Sequence, residues 1–102
     1  MKYYISGRIT DETRQLELEN MQLFYDLEMK LIAEGTNPED IFNPARLEVD
    51  SVATWEWYLA RDLHYIMENK PTLILLPNWK DSKGARLEVE VAELLGLTIL
   101  NK

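Results

Sequence analysis

The chain has 102 residues, of which 46% are apolar and 28% charged, the composition of one globular domain able to bury roughly 60–70% of its unfolded surface. It has no cysteine and one histidine, His64, which excludes disulfides, thiolate zinc sites and thiol nucleophiles and leaves little room for histidine-based chemistry. The net charge of −7, from 18 acidic against 11 basic side chains, repels duplex nucleic acid and anionic membranes.

Lys2 to Ser6 is a short aromatic and β-branched run closed by Gly7, which predicts a first strand. Gly7 comes too early for a signal peptide, and no apolar run reaches the ~18 residues that span a bilayer. A soluble cytoplasmic protein is expected. From about Thr13 to Glu34 apolar residues recur at helical spacing as Leu16, Leu23, Phe24, Leu27 and Leu31, with Thr10 or Asp11 as the cap and Gly35 as the stop. The acids Glu17, Glu19, Asp26 and Glu28 read as a solvated face of that helix. Ile41-Phe42 is a very short second strand ending at Asn43-Pro44. A second helix is expected over residues 51–69, and the apolar run Thr72 to Leu76 reads as a central strand buried on both faces. A third helix over 83–95, capped by Asp81 or Ser82 and closed by Gly96, leads to a last strand from Leu97 to Leu100.

Strands and helices alternate, so about four strands and three helices form a single α/β domain over residues 1–102. The layout is a three-layer parallel sheet of flavodoxin-like or Rossmann-like form. Ligands of such sheets bind at the carboxyl ends of the strands, here Ser6-Gly7-Arg8, Asn43-Pro44 and Pro77-Asn78-Trp79. Neither a Walker A sequence nor GxGxxG is present.

Two acids stand where apolar residues belong. On the third helix Glu88 falls at the middle of a face made by Gly84, Ala85, Val91, Ala92 and Leu95. On the second, Asp62 interrupts a stripe of Trp55, Tyr58, Leu59 and Ile66. An inward carboxylate is desolvated and needs a partner or a purpose. The plain alternative for each is a structural ion pair or buried hydrogen bond. A pair of carboxyls on consecutive helices flanking one central strand fits hydrolysis or transfer at an anomeric carbon, which uses one nucleophile and one acid. Glu88 lies in the first or second turn of its helix, where the macrodipole favours the ionised form, and the free N–H groups at that helix start can bind phosphate. Trp55 and Trp57 read as packing or subunit-interface residues, His64 as solvated, and Met21 and Met29 as core edge or dimer surface.

Tyr4-Ile5-Ser6-Gly7, Asn20-x-x-x-Phe24, Asn43-Pro44-Ala45, Arg61-Asp62-Leu63, Pro77-Asn78-Trp79 and Ser82-x-Gly84-Ala85-Arg86-x-Glu88-x-x-x-Ala92 together resemble a family of short, mostly bacterial and phage-encoded proteins of unknown function. That family in turn resembles the nucleoside 2-deoxyribosyltransferase superfamily, which includes the deoxynucleoside 5′-monophosphate N-glycosidases. The resemblance covers nearly the whole chain and is most specific from Ser82 to Ala92. It implies that Glu88 is the nucleophile on C1′, that Asp62 contacts base or sugar and assists the leaving group, and that Tyr4 holds the Glu88 carboxylate. It implies that Ser82 touches a phosphate, and that Asn43 and Trp79 wall the cleft. Gly7, Arg8, Asn20 and Gly84 complete the implied substrate-binding set. No metal and no cofactor is implied. The partner is a nucleoside or nucleotide, and the assembly is a homodimer or larger, because neighbouring subunits often complete such sites. The departures lie in the loops. Gly7-Arg8-Ile9-Thr10-Asp11 replaces Gly-Pro-Met-Thr-Gly, Lys70-Pro71-Thr72 lacks the usual acid, and Pro77-Asn78-Trp79 replaces Pro-Gly-Trp. The expected activity is cleavage or transfer at the N-glycosidic bond of a 2′-deoxyribonucleoside or its 5′-monophosphate. A nucleotide-binding module without turnover is the alternative.

Overall fold

The computed structural model describes residues 1–47 and 54–102. Four parallel strands, β1 (Tyr3–Ser6), β2 (Ile41–Phe42), β3 (Thr72–Leu75) and β4 (Ile99–Leu100), form one sheet in the order β2-β1-β3-β4. Tyr4 pairs with Leu73 and Ser6 with Leu75, so the two central strands end together. The chain moves outward from β1 to β2 and then returns past β1 to β3. The crevice between the ends of β1 and β3 is therefore a topological switch point, the place where open α/β sheets bind ligands.

Helices α1 (Arg14–Ala33), α2 (Trp55–Asn69) and α3 (Lys83–Leu94) make the outer layers. Side chains alternate along β1, so Ile5 faces one way and Tyr4 the other. Ile5 packs with Phe24 of α1, Ile41, Ala45 and Leu76. Tyr4 packs with Ile66 of α2, Leu73 and Ala92 of α3. The parallel three-layer α/β fold expected from the strand–helix alternation is the one observed.

Each helix starts on a hydroxyl. Thr13 accepts from the Leu16 amide at 3.2 Å, Thr54 from Trp57 at 3.1 Å and Ser82 from Ala85 at 3.1 Å. The cap of α1 is thus Thr13, not Thr10 or Asp11; Asp11 instead braces the preceding loop. Of the expected second helix, positions 51–53 lie outside the described residues. The last strand begins at Ile99 rather than Leu97, because the Leu97 amide bonds back to the Ala92 carbonyl in the turn that ends α3, with Gly96 at φ +71°. The third strand stops at Leu75, although the Leu76 amide still donates to the Ser6 carbonyl.

The buried face of α1 also differs from the expected stripe. Phe24 is its centre, with Met21, Leu27 and Leu31 packed around, while Leu16 and Leu23 are exposed. Leu23 lies a residue away from Phe24, about 100° round the helix. Glu28, expected on the solvated face, is buried one turn beyond Phe24 and is paired with Arg46, whose guanidinium sits 5.0 Å from the Tyr25 ring centroid. Burial of the carboxylate is tolerated there because a charge-assisted hydrogen bond replaces water.

Candidate active site

Tyr4 and Ser6 lie two residues apart on β1 and so project from the same face, toward α3. Glu88 projects back from α3 between them. The Tyr4 hydroxyl donates to Glu88 Oε2 at 2.6 Å and the Ser6 hydroxyl to Oε1 at 2.7 Å. All three are buried, Glu88 at 5% exposure. From α2, Asp62 reaches the same place at 8% exposure, its Oδ1 accepting from Arg61 Nε at 2.9 Å and Nη2 at 2.7 Å. Arg61 is itself stacked on Phe42, Trp57 and Tyr58, at 5.7, 5.9 and 5.1 Å from their ring centroids. Glu88, Asp62 and Tyr4 line one open cleft with Gly7 at the switch point.

Burial dominates the electrostatics. It pushes the Glu88 carboxyl up to about 8, against the Tyr4 and Ser6 hydrogen bonds and the Arg61 charge, while nearby Asp62 pushes in the same upward direction. The dipole does not offset this, since Glu88 falls in the second turn of α3 and the dipole's effect fades beyond the first. Desolvation also raises Asp62, although Arg61 holds it down. Tyr4 is raised well above its ordinary value by burial and by the two carboxyls, so its hydroxyl keeps its proton and acts as a donor.

The remaining predicted residues divide. Gly7, Arg8, Ser82 and Gly84 line the cleft, joined by Lys83, Asp81, Pro44 and Trp55. Gly7 is demanded by packing, because a Cβ there would stand 2.8 Å from Leu76 Cδ1 and 3.0 Å from Asn78 Oδ1. Ser82 accepts from the Ala85 amide through one oxygen lone pair. Arg8 is already engaged, with Nε on the Thr10 carbonyl at 3.0 Å and Nη2 3.2 Å from Asp11. The Glu12 amide and Asn20, with Arg8, hold that Asp11 carboxyl below the usual carboxylate range.

Asn20, Asn43 and Trp79 are not among the residues lining the cleft. Asn20 donates to the Ile9 carbonyl at 3.2 Å and to Asp11 at 3.0 Å, so it braces the first loop from behind. Asn43 is buried and caps the Pro44 turn through the Ala45 amide at 3.0 Å. Trp79 packs beside Lys80, 5.8 Å from its ring centroid. His64 is exposed, 3.9 Å from Glu68. Ser6 is not among the site residues that the sequence points to, although its spacing of two from Tyr4 is a signal for it. Asn78 belongs to the loop that follows β3. It ties that loop to the other, accepting from the Arg8 amide at 3.0 Å and donating to Asn20 at 3.4 Å. Among the described residues no helix is long and apolar enough to cross a membrane, and no three His, Cys, Asp or Glu residues are grouped to hold a metal ion.

No curated protein matches the chain. A family model does match, that of a domain of unknown function, DUF4406, and it covers residues 1–101. With the match spanning the sheet, all three helices and the inward carboxyls Glu88 and Asp62, the chain belongs to the DUF4406 family.

Proposed function

We propose that the chain breaks or exchanges the N-glycosidic bond of a 2′-deoxyribonucleoside or its 5′-monophosphate, in the manner of the nucleoside 2-deoxyribosyltransferases that its sequence resembles. The observation that carries the reading is the Glu88 carboxyl, buried at the base of a switch-point cleft with a hydroxyl on each oxygen and Asp62 facing the same space. In the ionised form, Glu88 attacks C1′ through an oxocarbenium-like transition state. The bond from C1′ to the base nitrogen breaks, the nitrogen keeps the electron pair, and Asp62 or solvent supplies its proton. Water or a second base then attacks C1′, passes its proton to Asp62 or solvent, and frees the carboxylate. Tyr4 orients Glu88. Ser82 and the start of α3 are the groups available to a 5′-phosphate, and Arg8 joins them on leaving Asp11. A homodimer or larger assembly is part of the proposal, as is a cytoplasmic setting with no duplex nucleic acid as partner.

The test is base release from deoxynucleosides and deoxynucleotides. Glu88→Gln keeps shape and hydrogen bonding but removes the nucleophile, so turnover falls by roughly a thousandfold or more while ligand affinity changes far less. Intact-mass analysis of stalled wild-type protein shows one deoxyribosyl adduct on the peptide containing Glu88. Full turnover by Glu88→Gln would overturn the assignment.

A second reading, binding without turnover, is favoured by one specific feature. With its carboxyl raised to about 8, Glu88 is mostly protonated at neutral pH and is then no nucleophile. Ligand binding by the wild type with no base released at any pH up to 9 establishes that reading instead.

A further inference from the structure

The structure assigns Ser6 a role that the sequence did not suggest: it is a positioning residue for Glu88, the second of two hydroxyls that together fix the plane of the carboxyl in the cleft. The inference rests on Glu88 being the working carboxylate of the proposed reaction. A single donor leaves a carboxyl free to swing about its last torsion, which is broad and shallow. Two donors on opposite oxygens, Tyr4 on Oε2 at 2.6 Å and Ser6 on Oε1 at 2.7 Å, remove that freedom. Both lengths are those of well-formed hydroxyl hydrogen bonds.

The position itself argues for a purpose. Ser6 is a buried polar residue at the end of a central strand, paired with Leu75 and following Ile5. A small apolar residue would fill the same space with no polar group to satisfy. The ionisable groups that act on Glu88 are Tyr4 from β1 and Asp62 and Arg61 from α2. The other buried residues of α3, Ala85, Val89 and Ala92, carry no charge. Burial and Asp62 oppose ionisation; Arg61, Tyr4 and Ser6 support it. Ser6 therefore sets both where the carboxylate points and the pH at which it forms.

The experiment titrates the Glu88 carboxyl by carbon NMR on full-length protein labelled at the glutamate side-chain carboxyl carbons. The Glu88 signal is identified by its loss in Glu88→Gln. Ser6→Ala removes one oxygen and raises the midpoint by roughly one to two pH units, and Ser6→Thr, which keeps the hydroxyl, restores it. Should Ser6→Ala fail to fold, Ser6→Cys carries the test, its weakly donating thiol again raising the midpoint. An unmoved midpoint in the folded variant overturns the proposal. The titration needs no substrate, so its result separates from that of the reaction. A shifted midpoint without any base release defeats the functional reading alone. Base release with an unmoved midpoint defeats the role of Ser6 alone.

Discussion

Glu88 couples the chemistry of the cleft to the stability of the fold. In the unfolded chain a glutamate ionises near 4.3, whereas in the folded protein burial holds the group protonated up to about 8. A raised carboxyl favours the folded state fully below pH 4, and that contribution is lost as pH rises toward 8, at up to about 1.4 kcal/mol per pH unit for one proton. Glu88→Gln does not titrate. Its melting temperature relative to wild type should therefore climb between pH 5 and pH 8 and level off above, measured by thermal unfolding across that range. A difference independent of pH would mean that Glu88 is ionised in the folded protein at neutral pH. The two acids were legible in the sequence because each interrupts an apolar stripe, a signal that needs no partner to be known. Glu28 was not, because what makes its burial tolerable is Arg46, 18 residues away in a turn. Nor was the state of Glu88, since the dipole can be read from helix position but desolvation depends on what the sheet covers.

The cleft is shaped at the level of elements by two glycines with opposite demands. At Gly7 the ends of β1 and β3 approach so closely that an added Cβ would meet Leu76 Cβ at 2.9 Å. Leu76 is buried and cannot retreat freely. Gly7→Ala should cost about 1–3 kcal/mol, a drop of several degrees or more in melting temperature for a domain this size. It also disturbs the Arg8–Asn78 link across the two loops. At Gly84 the nearest atom to an added Cβ is Leu59 Cδ1 at 3.7 Å, ordinary contact. Gly84→Ala should leave the melting temperature unchanged or raise it, as helical glycine replacements do, while narrowing the cleft and weakening ligand binding. Equal thermal losses in both variants would remove the distinction. Element order and sheet direction were readable from alternation and from the doubly buried run at β3. The bracing of the first loop by Asn20 and Asn78 was not, because amide side chains give no periodic signal and their partners are backbone groups on other elements. For the same reason the hold of Asn20, implied as a ligand-binding residue, on the Ile9 carbonyl and Asp11 had no signal in the sequence.

On the whole molecule, aromatic surface gathers at the start of α2. Trp55 lines the cleft at 49% exposure, and Trp57, two residues on and so on another side of α2, is 56% exposed. Large exposed aromatics on an acidic protein are enriched where subunits meet, and a few such residues usually dominate the binding energy. The homodimer in the proposed function would place the exposed start of α2, which borders the cleft through Trp55, against a second copy. Sedimentation at micromolar concentration should then give at least twice the 12.0 kDa of one chain. Trp57→Ala should raise the dissociation constant tenfold or more, the effect of losing ~1.4 kcal/mol or more at a contact of this kind. Its fold should survive, because the Thr54 cap of α2 bonds the backbone amide at 57 and not the indole. Sedimentation of the wild type as a 12.0 kDa monomer would show that the cleft works open, with Trp57 serving only as one of the three rings that hold Arg61 against Asp62.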